Sequence, residues 1–289
     1  MDRQVTVPYY EDDTATLYVG DCFDVLERLD ADSVDCIITS PPYAMQRAST
    51  YGGIPEADYP AWAVDLFEKF ARVLKTDGSV LWNISPHVRG GQLADYTLRM
   101  RLALRGAGWF EHDELVWVKP DKMPTGKPTW PVRAWESIHW FSRTPDPWVD
   151  AKACGNEITP ELRERAAALP NAFRGRDARL GWDHLGSGYG RMGERSRAKN
   201  WLQVAVRAIP NDVDHPAPFP HQLAEWLVQM FARPGGVVLD PFSGSASTGL
   251  AANKHGRRYI GIDLDPAYHD LALRTRLRQP GLDLEGITA

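Results

Sequence analysis

Three cysteines in 289 residues (Cys22, Cys36 and Cys154) are too few and too scattered for a disulfide framework or a zinc site. No apolar run approaches the roughly 18 residues of a membrane span. The opening stretch MDRQVTVPYYEDD also lacks the hydrophobic core of a signal peptide. These absences point to a cytoplasmic chain with no membrane partner and no metal. Positive charge is scarce as well: 33 Lys and Arg against 38 Asp and Glu give a net charge of −5. A surface basic all over is excluded, although a local basic patch is enough for phosphate contact. What remains, 43% apolar and 25% charged residues, is ordinary globular composition in a chain long enough for a substantial core.

The pattern along the chain alternates short strands with helices. Residues 17–19 read as a strand ending at Gly20-Asp21, and Phe23, Val25, Leu26 and Leu29 mark a helical face. A second strand follows over 34–38. A helix carrying Trp62, Val64, Leu66, Phe67, Phe70, Val73 and Leu74 then closes at a turn, Thr76-Asp77-Gly78, before a strand over 79–83. This rhythm predicts a mostly parallel, helix-covered sheet. A helix over 93–104 leads to strands at 115–118 and 137–141; with no helical pattern between them, they predict an antiparallel hairpin. From 146 to about 200 the periodicity weakens. Residues 171–200 hold seven basic residues against three acidic, interleaved with Phe173, Trp182 and Tyr189. Taken alone, that stretch reads equally well as a solvated loop. Order returns with a helix over 223–231, a strand over 237–239, a helix over 248–254, a strand over 259–262 and a final helix.

Two stretches stand out chemically. Ser40-Pro41-Pro42-Tyr43 ends the second strand, and its prolines lack N–H groups, so the turn offers carbonyl oxygens without competing donors. Residues 240–249, DPFSGSASTG, are a small-residue turn between a strand and a helix, where open α/β sheets bind ligands. No lysine stands where a phosphate loop needs one, and the glycine spacing is not that of a dinucleotide fingerprint. Asp263 ends the next strand, where an acidic residue accepts from ribose hydroxyls. The pair suggests a nucleoside site without a pyrophosphate, although Gly/Ser turns after strands are common in any α/β protein.

With these pieces together, the chain resembles the β-class site-specific DNA amino-methyltransferases. Ser40-Pro41-Pro42-Tyr43 is similar to the family's catalytic motif. Residues 240–248 are similar to its S-adenosylmethionine loop, residues 257–263 with Tyr268 to its cofactor-ribose segment, and residues 215–220 to the segment that closes over the cofactor's methionine part. Asp21 corresponds to an acidic position near the adenine. The resemblance covers about 14–145 and 205–275. The catalytic strand precedes the cofactor loop, the permuted order of the β class. Methyltransferases of RNA and of protein glutamine carry the reverse order.

The resemblance implies one Rossmann-like methyltransferase domain over 1–289: a mostly parallel twisted sheet with an antiparallel hairpin, helices on both faces and circularly permuted motifs. A target-recognition region is inserted at 146–204. It also implies that Ser40 and the Pro41 carbonyl accept from an exocyclic amine, that Pro42 completes the turn, and that Tyr43 stacks on a flipped base. Asp21, Phe219, Pro220, Asp240, Pro241, Phe242, Ser243, Gly244, Ser245, Thr248 and Asp263 would hold S-adenosylmethionine. Arg174, Arg176, Arg191, Arg195, Arg197 and Lys199 would contact double-stranded DNA. In this family a serine before the prolines tends to accompany cytosine N4 and an aspartate adenine N6, so cytosine is the expected base and adenine the alternative. C5-cytosine chemistry is excluded because no Pro-Cys pair exists. A catalytically inactive DNA-binding protein of the same fold is a more distant alternative. A second copy and a cognate restriction endonuclease are the candidate protein partners. Ala246 and Ser247 depart from the family's usual Gly-Thr. An alanine there is harmless at negative φ but costs about 1 kcal/mol in a left-handed turn. Asn83 reads equally well as a site residue or as a strand-end cap, and Lys119 as a DNA contact or as a residue flanking the hairpin.

Overall fold

The computed structural model describes residues 7–45, 53–123, 129–161, 164, 194–205 and 219–277. The chain divides into two compact units, one of 1–149 with 200–289 and a second of 150–199. The strands of the first unit are β1 (Tyr10–Glu11), β2 (Ala15–Val19), β3 (Val34–Thr39), β4 (Leu74–Ile84), β5 (Val88–Arg89), β6 (Gln92–Leu93), β7 (Phe110–Val118), β8 (Trp135–Ser142), β9 (Trp201–Gln203), β10 (Val237–Asp240) and β11 (Arg258–Asp263). The helices are α1 (Cys22–Leu26), α2 (Tyr59–Val73), α3 (Tyr96–Gly106), α4 (His221–Phe231), α5 (Ser247–Lys254) and α6 (Pro266–Ala272), the last continued by a π-turn over Leu273–Leu277.

Nine strands form one sheet in the order β1-β2-β11-β10-β3-β4-β8-β7-β9. The central run β2-β11-β10-β3-β4 is parallel, and β7 and β8 form the expected antiparallel hairpin. Every residue of β3, VDCIIT, is buried, as in a central parallel strand covered on both faces; its two polar residues, Asp35 and Thr39, are both hydrogen-bonded. Helices α1, α2 and α3 share one core cluster with Ile37, Val80, Trp82, Leu239 and Ile262, in which Phe67 packs edge-on against Trp82 and Trp109. Leu223, Leu227 and Val228 of α4 are buried outside that cluster, where α4 packs on α5, β3 and β4.

Two local expectations fail. Thr76-Asp77-Gly78 is not a turn; β4 runs through it, and the register against β3 jumps from Val34↔Leu74 to Cys36↔Ser79. The bulge is held by Lys75 Nζ on Asp35 Oδ2 (2.7 Å) and by Asp77 against Arg233. A Cβ on Gly78 would meet the Asp35 carbonyl at 2.8 Å, so the glycine is there for close approach of backbone. Residues 93–95 are also not helical: Gln92 and Leu93 pair with Val88 and Arg89 across a Gly90-Gly91 turn with φ of 60° and 81°. In the second unit Glu157 and Arg195 pair through their backbones in an isolated antiparallel β-bridge, and Ala198 N donates to the Ala151 carbonyl. The segment 146–204 overlaps this unit and ends in β9, a strand of the sheet.

Candidate active site

The register Cys36↔Val238 and Ile37↔Leu239 makes β3 and β10 parallel neighbours. The loops after them, one with the proline pair and one with the small residues, therefore leave the same end of the sheet. Thr39 Oγ1 donates to Asp240 Oδ1 at 2.7 Å, tying the two motifs together across 201 residues of sequence. A cavity of about 380 Å³ opens at this end. Its wall includes Ser40, Pro41, Pro42 and Tyr43, together with Asp21, Phe219, Asp240, Pro241, Phe242, Ser243, Gly244, Ser245, Thr248 and Asp263. Pro220 is the exception among the described catalytic and cofactor candidates: it is buried at the start of α4 and does not reach the cavity wall. Residues 215–218 lie outside the described residues.

Asp240 accepts from Thr39, from Thr248 Oγ1 (3.0 Å) and from the Phe242 amide (3.1 Å), yet burial pushes its carboxyl up to about 6. Asp263 accepts the Gly244 amide at 2.8 Å and the Asp265 amide at 3.0 Å, and burial raises it too. The Asp263 charge raises Asp240 further, and neither carboxylate has an ion-pair partner among the described residues. A ligand bearing a sulfonium and an ammonium meets that unmet negative charge, and Asp263 keeps lone pairs for hydroxyl donors. Asp21 is exposed at the rim and caps α1 through the Phe23 amide (2.8 Å).

The loop 243–246 is compact. Ser243 N donates to Ile262 O, Ala246 N to Ser243 O, and Tyr259 donates its phenol proton to Ser243 Oγ at 2.8 Å. Ala246 sits at φ 58°, ψ 45°, in the left-handed region, so the strain that a missing glycine implies is present. Its Cβ is wholly buried, and the packing of that methyl offsets part of the strain. Arg276 reaches the carbonyl and hydroxyl of Ser245.

Residues that the sequence left unassigned complete the proline side. Glu136, at the start of β8, lines the cavity. Tyr43 donates its phenol proton to Glu136 Oε2 at 3.0 Å, and Asn83 Nδ2 donates to both the Tyr43 oxygen and Glu136 Oε2 at 3.0 Å. Lys119 binds Glu136 Oε1 and lies 3.9 Å from the centre of the Trp117 ring. Asn83 and Lys119, at 2% and 6% exposure, lie behind the cavity wall and touch it only through Tyr43 and Glu136. Burial first, then the Glu136 charge, hold the Tyr43 phenol well above its usual range, against the nearby Ser40 hydroxyl, which lowers it. The Pro42 carbonyl is engaged by Tyr59 at 3.0 Å, which leaves the Pro41 carbonyl as the turn's candidate acceptor. Glu136 escaped the sequence reading because a lone Glu in the strand WESIHW carries no local signal; only the β4-β8 pairing of Asn83 with Ile138 brings it close. Cys22 also lines the cavity, but burial pushes its thiol up to about 12, which leaves it no thiolate for C5 chemistry.

Of the six basic residues expected at DNA, Arg174, Arg176 and Arg191 lie outside the described residues. Arg197 and Lys199 are exposed. Arg195 donates through Nε and one terminal nitrogen to the Gly155 carbonyl at 3.1 and 2.8 Å, so it props the second unit as well.

Comparison with known proteins agrees with this geometry. A family model described as DNA methylase matches residues 34–274. The chain is 27% identical over 283 residues to the type II methyltransferase M.PvuII of Proteus hauseri, spanning 90% of this chain and 83% of that protein. It is 27% identical to M.SmaI of Serratia marcescens, over 91% of each. Among solved structures, the cytosine-N4-specific PvuII DNA methyltransferase superposes with a TM-score of 0.68 at 23% identity, over 95% of this chain and 90% of that one. A DNA modification methylase of Thermus thermophilus, complexed with S-adenosyl-L-methionine, does so with 0.56 at 26% identity, over 90% and 93%. With a family model covering most of its length and both motifs walling one cavity, the chain belongs to the DNA methylases, in their β-class arrangement of S-adenosylmethionine-dependent amino-methyltransferases.

Proposed function

We propose that this protein methylates the N4 amine of cytosine in double-stranded DNA at a specific sequence, as a flipped base. One observation carries the reading: Ser40-Pro41-Pro42-Tyr43 and the loop 240–248 wall a single cavity on adjacent parallel strands. Asp263, Asp240, Phe242, Ser243, Gly244 and Thr248 are the residues that would hold S-adenosylmethionine, which supplies the methyl group when bound. Around the base, the chain's own work is positioning and polarity. An exocyclic amine is a poor nucleophile because its lone pair is delocalised into the ring. Acceptors on its N–H groups favour the pyramidal form, and Ser40 Oγ and the Pro41 carbonyl are those acceptors. Prolines supply no donor that would tie up the lone pair. The target nitrogen is inaccessible inside a duplex, so the base enters extrahelically, against the Tyr43 ring.

Cytosine is favoured by Ser40 and by the cytosine-N4-specific neighbour in structure. The type II relatives support a place in a restriction-modification pair, with a cognate endonuclease that cuts the same sequence in unmodified DNA. The unit 150–199, within the segment 146–204, is the region proposed to read the target. The test is nucleoside mass spectrometry of duplex DNA incubated with the protein and S-adenosylmethionine. N4-methylcytosine is the expected product. N6-methyladenine alone would overturn the choice of base, and no methylated nucleoside the reading as a whole.

A further inference from the structure

An aromatic ring is a useful stacking face only if it is already in place when the base arrives. Tyr43 lines the cavity, and the structure holds it at both ends. On the backbone side, Tyr59 donates its phenol proton to the Pro42 carbonyl at 3.0 Å, which fixes the peptide that carries Tyr43. At the far end of the ring, the Tyr43 hydroxyl uses both of its roles. It donates to Glu136 Oε2 and accepts from Asn83 Nδ2, each at 3.0 Å. Asn83 Nδ2 also donates to Glu136 Oε2 at 3.0 Å, so the three groups close a triangle. The ring's long axis is thereby fixed.

These are expensive groups to keep behind a cavity wall. Asn83 is buried, and Lys119 is buried where it holds the other carboxylate oxygen of Glu136. Apolar residues of similar volume would pack there without taking charges out of water. Lys119 neutralises Glu136 and leaves Oε2 to Tyr43. What the cluster presents toward the cavity is a grip on one hydroxyl. A phenol has to find partners for its proton and its lone pairs. Without Glu136 and Asn83 the partners left to it are those of the cavity and its solvent. The ring would then follow its hydroxyl into the space that the base must enter. We infer that Glu136 and Asn83 are positioning residues that pin the Tyr43 hydroxyl and so preset the ring as a fixed face for the flipped base. The inference rests on the methyl-transfer reading above and adds to it two residues that act through a third.

Glu136→Gln is nearly isosteric. Lys119 keeps the amide oxygen, so the amide nitrogen is set against the Asn83 nitrogen and the phenol proton loses its acceptor. The single-turnover rate of methyl transfer to plasmid DNA, at saturating S-adenosylmethionine, should fall tenfold or more. The dissociation constant for the cofactor should stay within threefold of wild type. Tyr43→Phe gives up the pin together with the hydroxyl that needs one, so it should lose less. In the Tyr43→Phe background Glu136→Gln should then change the rate by less than twofold, which makes the double variant faster than Glu136→Gln alone. Asn83→Leu, which removes the other partner, should be rescued by Tyr43→Phe in the same way. A packing role gives no such rescue, because deleting a second buried group would add to the damage. Full rate in Glu136→Gln, cofactor binding weakened beyond threefold, or double variants no faster than Glu136→Gln and Asn83→Leu would overturn the inference while the wild type remains active. An inactive wild type would overturn the methyl-transfer reading and this inference with it.

Discussion

Asp240 is buried, accepts three hydrogen bonds and still has its carboxyl moved from 3.8 to about 6, because burial outweighs the donors. The sign follows from the direction. A group raised in the folded state gives its full stability below the unfolded value and loses it as pH rises through the folded one. A displacement of this size amounts to about 3 kcal/mol in all, of which roughly 2 kcal/mol is lost between pH 4.5 and 7.5. Asp240→Asn stays neutral, so the ligand-free variant should gain about 2 kcal/mol on wild type across that range in denaturant titrations at the two pH values. Parallel curves would contradict the buried charge. The same residue shows what single positions reveal in a sequence. Ser40, Asp240 and Asp263 were legible because each sits beside a strand end in a motif with its own chemistry. Asn83 was half legible, as a strand-end residue facing the site, while Glu136 and its pairing with Lys119 were not, because their role comes from β4, β7 and β8 lying side by side, a tertiary pairing that no local pattern records.

Elements were legible wherever apolar periodicity was long, as in α2 and the hairpin strands, and illegible where glycine had a packing role. Thr76-Asp77-Gly78 has the composition of a turn but lies inside β4, since Gly78 lets backbone approach Asp35. Gly249 also has a packing role, though within α5, a helix the sequence does predict: a Cβ there would come within 2.6 Å of the Tyr259 ring and 3.0 Å of Leu277. Tyr259 cannot step aside, being 1% exposed and bonded to Ser243 at 2.8 Å. Helix propensity favours alanine by about 1 kcal/mol, and overpacking costs about 1–3 kcal/mol. Gly249→Ala should therefore cost about 0–2 kcal/mol net and weaken S-adenosylmethionine binding through the shifted Ser243 loop. Gly106→Ala, with open space around it at the end of α3, should be neutral or stabilising. Thermal unfolding of the pair, with calorimetric titration of the cofactor, checks both. Equal effects at the two positions would sink the packing argument.

At the scale of the molecule, charge is the quantity to follow. A chain of net charge −5 that grips a polyanion needs its positive charge gathered, and residues 171–200 gather seven basic against three acidic. Arg195 is partly committed to the Gly155 carbonyl, so reversing it tests the integrity of the second unit more than its hold on DNA. Arg174, Arg176 and Arg191 are the cleaner set. The triple variant Arg174→Glu, Arg176→Glu, Arg191→Glu should bind duplex DNA at least tenfold more weakly at low salt. Its dependence of log K on log salt should flatten by about 0.9 for each phosphate that is no longer neutralised. Cofactor affinity should not change, because Asp240, Asp263 and the loop between them belong to the other unit. Fluorescence anisotropy across a salt series, run beside a cofactor titration, separates the outcomes. Unchanged DNA affinity and slope would place the phosphate-binding residues elsewhere. A parallel fall in cofactor binding would mean that the substitutions damaged the fold.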